Sequence, residues 1–166
     1  MDIVLIDRLI EILNKETAVY EGIFKLSKNK TDVVVEGKVS ELEGITRLEQ
    51  SMVIQLGRLE DEREELADKL AVQLNVKSSD ITLDSLRKML PKEQSDKLEN
   101  CHNKLPKIIH DLGEANTLNS KLIKNSLDYI DFSINVLTNA GSAGNNYEYS
   151  GQSSNSKKRN FFDIKL

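Results

Sequence analysis

The chain has 166 residues, enough for one domain with a buried core, or for one domain with an appendage. Charged residues make up 30% of the chain and aromatic residues 5%, with no Trp and two Pro, a mix that favours long, surface-rich helices over sheets. The formal net charge of −4, with acidic and basic residues interspersed, gives no broad basic face and argues against sequence-independent binding of nucleic acid.

The first predicted helix runs from residue 3 to about residue 26. Its apolar residues recur at helical spacing in two adjacent rows, which together make a wide stripe. A helix that is apolar over so much of its circumference needs two neighbours, so the pattern predicts a bundle of three or more helices. The polar run Lys28-Asn29-Lys30-Thr31 predicts the turn after it. The two rows are Ile3, Ile6, Ile10, Leu13, Tyr20 and Phe24, and Leu5, Leu9, Ile12, Val19 and Ile23.

The second predicted helix is clear from Ser40, where Ser40-Glu41-Leu42-Glu43 matches a capping box, and it runs to about residue 74. The alternative is that this helix starts near Thr31, in which case the capping-box residues form an internal turn of the helix. Val33-Val34-Val35 favours a strand by propensity, but no partner strand is visible, so we predict a helix there. A seven-residue spacing indicates coiled-coil-like packing along this helix, at Ile45, Met52, Leu59 and Leu66.

A short third helix and a long last helix follow. Thr82 is the predicted N-cap of a helix over residues 83–90, and Pro91 marks the start of a helix that reaches about residue 138. Pro106 would kink this helix or split it. At 1.5 Å per residue, the second and last helices reach roughly 55 to 70 Å and the first roughly 35 to 40 Å. Part of the long helices should therefore lack an intramolecular neighbour, and such apolar surface usually marks a partner site.

The last helix carries two groups of residues about 100° apart around its axis. One group suffices for the bundle. The other is then available to a client helix or to self-association, by the helix-in-groove mode. A central helix with both groups internal stays open as the alternative. The first group is Asn116, Asn119, Ile123, Leu127, Ile130, Ile134 and Leu137, and the second is Leu122, Tyr129, Phe132 and Val136.

Composition changes after the last helix. Residues 139–160 contain no Leu, Ile, Val, Met or Phe and are rich in Asn, Ser and Gly, so burial cannot offset the entropy of ordering them. We therefore predict a helical bundle over residues 1–138 and a flexible tail over residues 139–166. Tyr147, Tyr149 and the apolar residues 161–166 are either short binding motifs or segments that fold back onto the body.

No pattern in the chain predicts catalysis. His102 and His110 have no HExxH motif or carboxylate cage around them. A phosphotransfer helix centred on His110 is the sharpest enzyme-like alternative, but the Lys-Gly-Ser usual after such a histidine is missing. Cys101 and His102 are adjacent on a helix and point about 100° apart, so they form no catalytic pair. We predict a protein that is not an enzyme and has no cofactor and no metal.

Cysteine usage and the N-terminal residues indicate the cellular compartment of the protein. Cys101 is the one cysteine and has no internal disulfide partner, which is typical of a reducing environment. Residues 1–8 lack the basic and apolar regions of a secretion signal, and no stretch approaches the ~20 apolar residues of a membrane span. We expect a cytoplasmic protein with no direct membrane insertion.

Four sets of residues, spread over almost the whole chain, resemble the FlgN family of flagellar export chaperones. Two lie in the first two helices, Glu16 with Tyr20 and Leu59-Glu60-x-x-Arg63. The other two, in the last helix and the tail, carry most of the resemblance. They are Asn116-x-x-Asn119-x-x-Leu122-Ile123-x-x-Ser126-Leu127-x-Tyr129-Ile130 and Tyr147-x-x-x-Gly151-Gln152.

From composition and periodicity we predict an all-α fold, an elongated antiparallel bundle of three long helices and one short helix. The resemblance implies that this bundle acts as a cytosolic chaperone. It would bind the C-terminal helical region of the hook-filament junction proteins FlgK and FlgL, prevent premature assembly and deliver them to the export gate. The implied docking residues for the gate component FlhA are Tyr147 and Gly151, with Tyr149 as a competitor of Tyr147 for this role. A structural coiled-coil or scaffold protein is the alternative. The implied client-binding residues are Asn116, Asn119, Leu122, Ile123, Ser126, Leu127, Tyr129, Ile130, Phe132, Ile134, Val136 and Leu137.

Overall fold

The computed structural model describes residues 3–77 and 80–143. The predicted all-α fold of three long helices and one short helix is confirmed, and the described residues contain no strand. The chain divides into two compact units, Met1–Leu127 and Asp128–Leu166. The helices are α1 (Ile3–Val35), α2 (Val39–Leu74), α3 (Leu83–Met89) and α4 (Lys92–Ala143).

Helix α1 is longer than predicted, because residues 28–31 continue it instead of forming a turn. Two polar side chains of this run bind other helices. Lys30 pairs with Glu49 of α2, and the Thr31 hydroxyl donates to Oδ1 of Asn119 in α4 at 2.6 Å. The turn comes later, at Gly37, whose positive φ of 70° costs glycine little because it has no Cβ. The predicted turn was wrong, because polar residues there serve contacts between helices.

Helix α2 begins at Val39, and the predicted capping box at Ser40 does not form. Its N-cap is Lys38, whose side chain makes no capping hydrogen bond, and Ser40 already lies in the first helical turn. The residues 33–35 are helical as predicted, but they end α1 and do not begin α2. Because α1 runs to Val35, only residues 36–38 connect the two helices.

The seven-residue spacing along α2 is the packing seam that the sequence predicts. Three of its members are buried and Met52 is half-buried. The helix ends at Leu74 as predicted, with Asn75 in the left-handed conformation. The backbone N–H of Asn75 donates to the Val72 oxygen at 3.3 Å and that of Val76 to the Ala71 oxygen at 3.1 Å, which satisfies two terminal carbonyls. The buried members are Ile45, Leu59 and Leu66.

Thr82 caps α3 as predicted. Its hydroxyl accepts the backbone N–H of Ser85 at 3.1 Å, and the Ser85 hydroxyl accepts the backbone N–H of Thr82 at 2.9 Å.

Helix α4 starts directly after Pro91 and continues through Pro106, so Pro106 does not split it. The helix extends to Ala143, beyond the predicted end at residue 138. The boundary between bundle and tail after residue 138 stays a prediction.

In the first unit, α1 and α2 run antiparallel, because Arg8 near the start of α1 pairs with Glu62 near the end of α2. All four helices contribute to one apolar core in this unit, and its burial at about 25 cal/mol per Å² is the main force holding them together. None of the described helices combines the length and the hydropathy needed to cross a membrane. The core includes Ile6, Ile12, Leu66, Leu70, Leu86 and Leu98.

Candidate functional site

Asn119 lies inside the first unit and binds α1. Its side chain is 3% exposed. The amide nitrogen donates to the Ser27 backbone oxygen at 2.7 Å and to the Ser27 hydroxyl at 3.1 Å, while its oxygen accepts from Thr31. The Ser27 hydroxyl in turn donates to Oδ1 of Asn116 at 3.0 Å. Both asparagines of the predicted client-binding set therefore contact α1, where a connected polar network fixes the position of α4.

The same hydrogen bonds define the register between α1 and α4. The pairs Asn14 with Cys101, Ser27 with Asn116, and Thr31 with Asn119 are separated by 87, 89 and 88 residues along the chain, so the two helices run parallel. Parallel helices keep a constant offset, which places the end of α1 at Val35 level with about residue 123 of α4.

The remaining predicted residues of the first unit follow this register. Leu122 and Ile123 are half-buried, whereas Ser126 and Leu127 are exposed. Leu127 keeps 57% of its surface in solvent. Within the first unit, α4 therefore changes from a packed helix to an exposed one a few residues before the unit ends.

In the second unit, the described residues form the end of α4 alone. Every large apolar side chain of this part is exposed, and we call the set the exposed apolar surface of α4. Soluble monomers rarely leave so many neighbouring apolar side chains in water, so this set is a candidate partner surface. It consists of Tyr129 (72%), Ile130 (50%), Phe132 (65%), Ile134 (44%), Val136 (49%) and Leu137 (72%).

The exposed apolar surface of α4 draws on both groups predicted from the sequence. Ile130, Ile134 and Leu137 belong to the first group, which was expected to face the bundle, and Tyr129, Phe132 and Val136 to the second. In the described residues, the first group packs onto α1 only as far as Ile123. Beyond Leu127 the side chains of both groups are exposed, so the predicted division into one buried and one free group does not hold there.

The two sets of family-like residues in α1 and α2 meet in the first unit. Nε of Arg63 donates to Oε1 of Glu16 at 3.2 Å, and a terminal nitrogen of Arg63 pairs with Glu60 at 3.5 Å. Glu16 is 6% exposed, so the arginine compensates a buried carboxylate and ties α2 to α1. Glu16, Glu60 and Arg63 also line a cleft of about 340 Å³. Its other lining residues are Leu13, Tyr20, Leu56, Leu105 and Ile109.

Cys101 and His110 are the reactive side chains that the sequence analysis considered. Cys101 is buried and its thiol donates to Oδ1 of Asn14 at 3.3 Å. Burial raises the pKa of the Cys101 thiol, an effect that Lys104 partly offsets, so the neutral thiol is favoured. His110 is exposed and lies 3.6 Å from Glu114. Within residues 3–77 and 80–143, no group of His, Cys, Asp and Glu side chains is placed to hold a metal ion.

The predicted gate-docking residues Tyr147, Tyr149 and Gly151 lie outside the residues that the structure describes. Their role stays a prediction from the sequence resemblance.

One exposed apolar pair was missed by the sequence analysis. Val53 and Ile54 on α2 are 58% and 60% exposed and border a shallow depression with Thr46, Glu49 and Gln50. The signal was available, because positions 46, 50, 53 and 54 share one helical face. The seven-residue spacing describes only the buried seam, so it did not predict this second, solvent-facing pattern.

Comparison with known proteins gives a family for the chain. The family model described as FlgN protein matches residues 1–155. The chain is also similar to the uncharacterized protein YvyG of Bacillus subtilis (strain 168), with 25% identity over 161 residues that cover 95% of this chain and 96% of that protein. No solved structure matches it. The match over residues 1–155, together with the helical fold, shows that the chain belongs to the FlgN family, a family of flagellar export chaperones.

Proposed function

We propose that the chain is a cytoplasmic chaperone that holds the C-terminal helical region of FlgK and FlgL on the exposed apolar surface of α4. This surface carries the proposal, because its six apolar side chains are 44% to 72% exposed. An amphipathic client helix would cover them with its own apolar face, and each partner would then hide surface that neither can bury alone. Covering the client in this way would prevent its premature assembly.

The size of the surface suits a complex that must later release its client. If the two partners bury about 400 Å² of apolar area, the gain is about 10 kcal/mol, against an association cost of roughly 4 to 15 kcal/mol. Because the gain lies within the range of the association cost, the net affinity stays far below what the buried area alone would give, which is compatible with release. A chaperone that delivers its client to the export gate needs such reversibility.

The proposed client surface is centred on the six residues of the second unit, with Ser126 and Leu127 next to them in sequence. Leu122 and Ile123 are half-buried and supply less free surface. We assign Asn116 and Asn119 a positioning role instead of a client contact, because their amides bind Ser27 and Thr31 of α1.

We further propose that Tyr147 docks the chaperone on FlhA, the gate component, with Gly151 allowing close approach of the backbone. The support is the family match, which extends to residue 155 and so includes this segment. Tyr149 lies two positions away and provides a matched control. Replacing Tyr147 by Ala should abolish binding to the cytosolic domain of FlhA while Tyr149→Ala preserves it; the reverse result would reassign docking to Tyr149.

Co-purification tests the client proposal. The double variant Ile130→Asp/Phe132→Asp should lose the C-terminal helical regions of FlgK and FlgL, because a charge on each side chain opposes burial. The control is Val53→Asp/Ile54→Asp, which places the same charges on equally exposed residues of α2. Circular dichroism checks that both variants stay helical. Full client recovery with the first variant would refute the α4 surface, and loss with the second alone would move the site to α2.

Light scattering separates this function from that of a scaffold. A structural coiled-coil protein would form stable homo-oligomers through the exposed apolar surface of α4 and would not respond to FlgK. The chaperone should instead form a mixed complex with FlgK.

A further inference from the structure

The exposed apolar surface of α4 has an apolar counterpart in the same chain. Residues 161–166 read Phe-Phe-Asp-Ile-Lys-Leu, and four of the six are large and apolar. The preceding residues 144–160 contain no Leu, Ile, Val, Met or Phe, so the apolar side chains after α4 are concentrated in this last segment. An apolar segment and an uncovered apolar helix in one chain can cover each other without a second molecule.

We propose that residues 161–166 cover the exposed apolar surface of α4 while no client is bound, and that a client must displace them. This inference rests on the proposed function, because it assigns a resident competitor to the same surface.

Charge favours this occupant. Between residues 128 and 143 the charged side chains are Asp128 and Asp131, so this part of α4 is acidic. Within residues 161–166, Asp163 and Lys165 cancel, and the basic charge comes from Lys157-Lys158-Arg159 just before them. Opposite charges flanking two apolar surfaces steer them together and oppose the pairing of two copies of the acidic helix.

The length of the connection also fits. A chain of about 17 residues with this Gly, Ser and Asn content has a mean end-to-end distance of roughly 20 to 25 Å. The helix from residue 129 to residue 143 is about 21 Å long at 1.5 Å per residue. When the mean reach of a linker matches the span it must cross, the local concentration of the tethered segment is near its maximum, in the millimolar range.

The high local concentration favours the chain's own segment over the same segment on a second copy. The same segment on a second copy would be present only at the concentration of the protein, which is orders of magnitude lower in dilute solution. A six-residue contact that is weak between molecules is therefore populated within one. A client with a longer apolar face can still displace it, at a reduced apparent affinity.

Paramagnetic relaxation tests the contact without a client. A nitroxide is attached through Ser156→Cys in a Cys101→Ser background, and the amide signals of residues 129–137 are recorded. The same label on a chain with Phe161→Asp/Phe162→Asp gives the baseline for a segment that is tethered but not docked. We expect stronger broadening in the first chain. Equal broadening in both would overturn the proposal.

Mixing distinguishes contacts within and between chains. Isotope-labelled chains without nitroxide are combined with unlabelled chains that carry it. Broadening at residues 129–137 in the mixture, as strong as within one chain, would show that a second copy supplies the segment and would overturn the intramolecular assignment. No broadening in the mixture supports it.

Client titration then tests the competition. The Phe161→Asp/Phe162→Asp chain should bind a FlgK C-terminal helical fragment about two- to tenfold more tightly than the full parent chain. Unchanged affinity would contradict the competition. The two failures are distinguishable. Absent broadening with intact client binding removes only the inference. Clear broadening with client binding that ignores Ile130→Asp/Phe132→Asp removes the client surface and the competition, and leaves only the contact of residues 161–166 with α4.

Discussion

Asn119 donates its side-chain amide to both oxygens of Ser27, the backbone oxygen at 2.7 Å and the hydroxyl at 3.1 Å. This contact fixes α4 on α1 in the first unit. It also gives Asn119 a structural role in the first unit, where it holds α4 in register with α1.

Removing the Asn119 amide should destabilise the first unit. In Asn119→Ala, the Ser27 backbone oxygen and the Thr31 hydroxyl lose a buried partner, which costs about 1 to 3 kcal/mol. Urea unfolding followed by circular dichroism measures the loss. Asn125→Ala on the exposed side of the same helix is the control, since it makes the same gain in helix propensity. Equal unfolding midpoints for the two variants would show that the network adds no stability.

Arg63 should matter to stability through Glu16. The Arg63→Met variant leaves a carboxylate that is 6% exposed without its cation. Because the Arg63 side chain is itself 37% exposed and partly solvated, we expect a loss of about 1 to 2 kcal/mol, below the range for fully buried pairs.

The double variant Glu16→Leu/Arg63→Met provides the check on this pair. Removing the buried charge as well should recover most of the lost free energy of unfolding. A double variant less stable than Arg63→Met alone would show that Glu16 stabilises the fold by other contacts.

Two glycines of the first unit should respond to alanine with opposite signs. Gly37→Ala places a Cβ on a residue with φ of 70°, which costs about 1 kcal/mol even though the space around it is open. Gly57→Ala lies inside α2, also in open space, and should stabilise the protein by about 0.5 to 1 kcal/mol through helix propensity. Thermal unfolding compares them. A rise in melting temperature for Gly37→Ala would contradict the assigned turn.

Cys101 should be protected from alkylation and should make stability depend on alkaline pH. Burial raises the pKa of its thiol above the unfolded value of about 8.5, so the folded state retains the proton more strongly. Its contribution is complete below about pH 8.5 and declines as the pH rises through the folded pKa. The stability of the parent chain relative to Cys101→Ser should be constant up to about pH 8.5 and should fall as the pH rises above that value. A constant difference would exclude this linkage.

The sequence predicted the elements with strong periodicity and clear stop signals. The α2 seam, the Thr82 cap and the starts of α3 and α4 all depend on local patterns, and the structure confirms them. The end of α1 was wrong because Lys30 and Thr31 look like turn residues locally, yet their partners Glu49 and Asn119 are distant in sequence. Pairing between helices overrides local propensity there.

The candidate site divides in the same way. The helical spacing of the last helix placed Tyr129 and Phe132 in a group available to a partner, and both side chains are exposed. The role of Asn119 depends on which residues of α1 lie opposite it. Its partner Thr31 is 88 residues away in the sequence. No local sequence pattern predicts the register between two helices so far apart in the chain.

The central claim is that the exposed apolar surface of α4 binds the client. Isothermal titration of a FlgK C-terminal helical fragment into the parent chain, Ile130→Asp/Phe132→Asp and Val53→Asp/Ile54→Asp tests it most directly. We predict at least about tenfold weaker binding for the α4 variant, from about 1.4 kcal/mol or more of lost contact, and parent-like binding for the α2 variant. Equal dissociation constants for the parent chain and a folded α4 variant would contradict the claim.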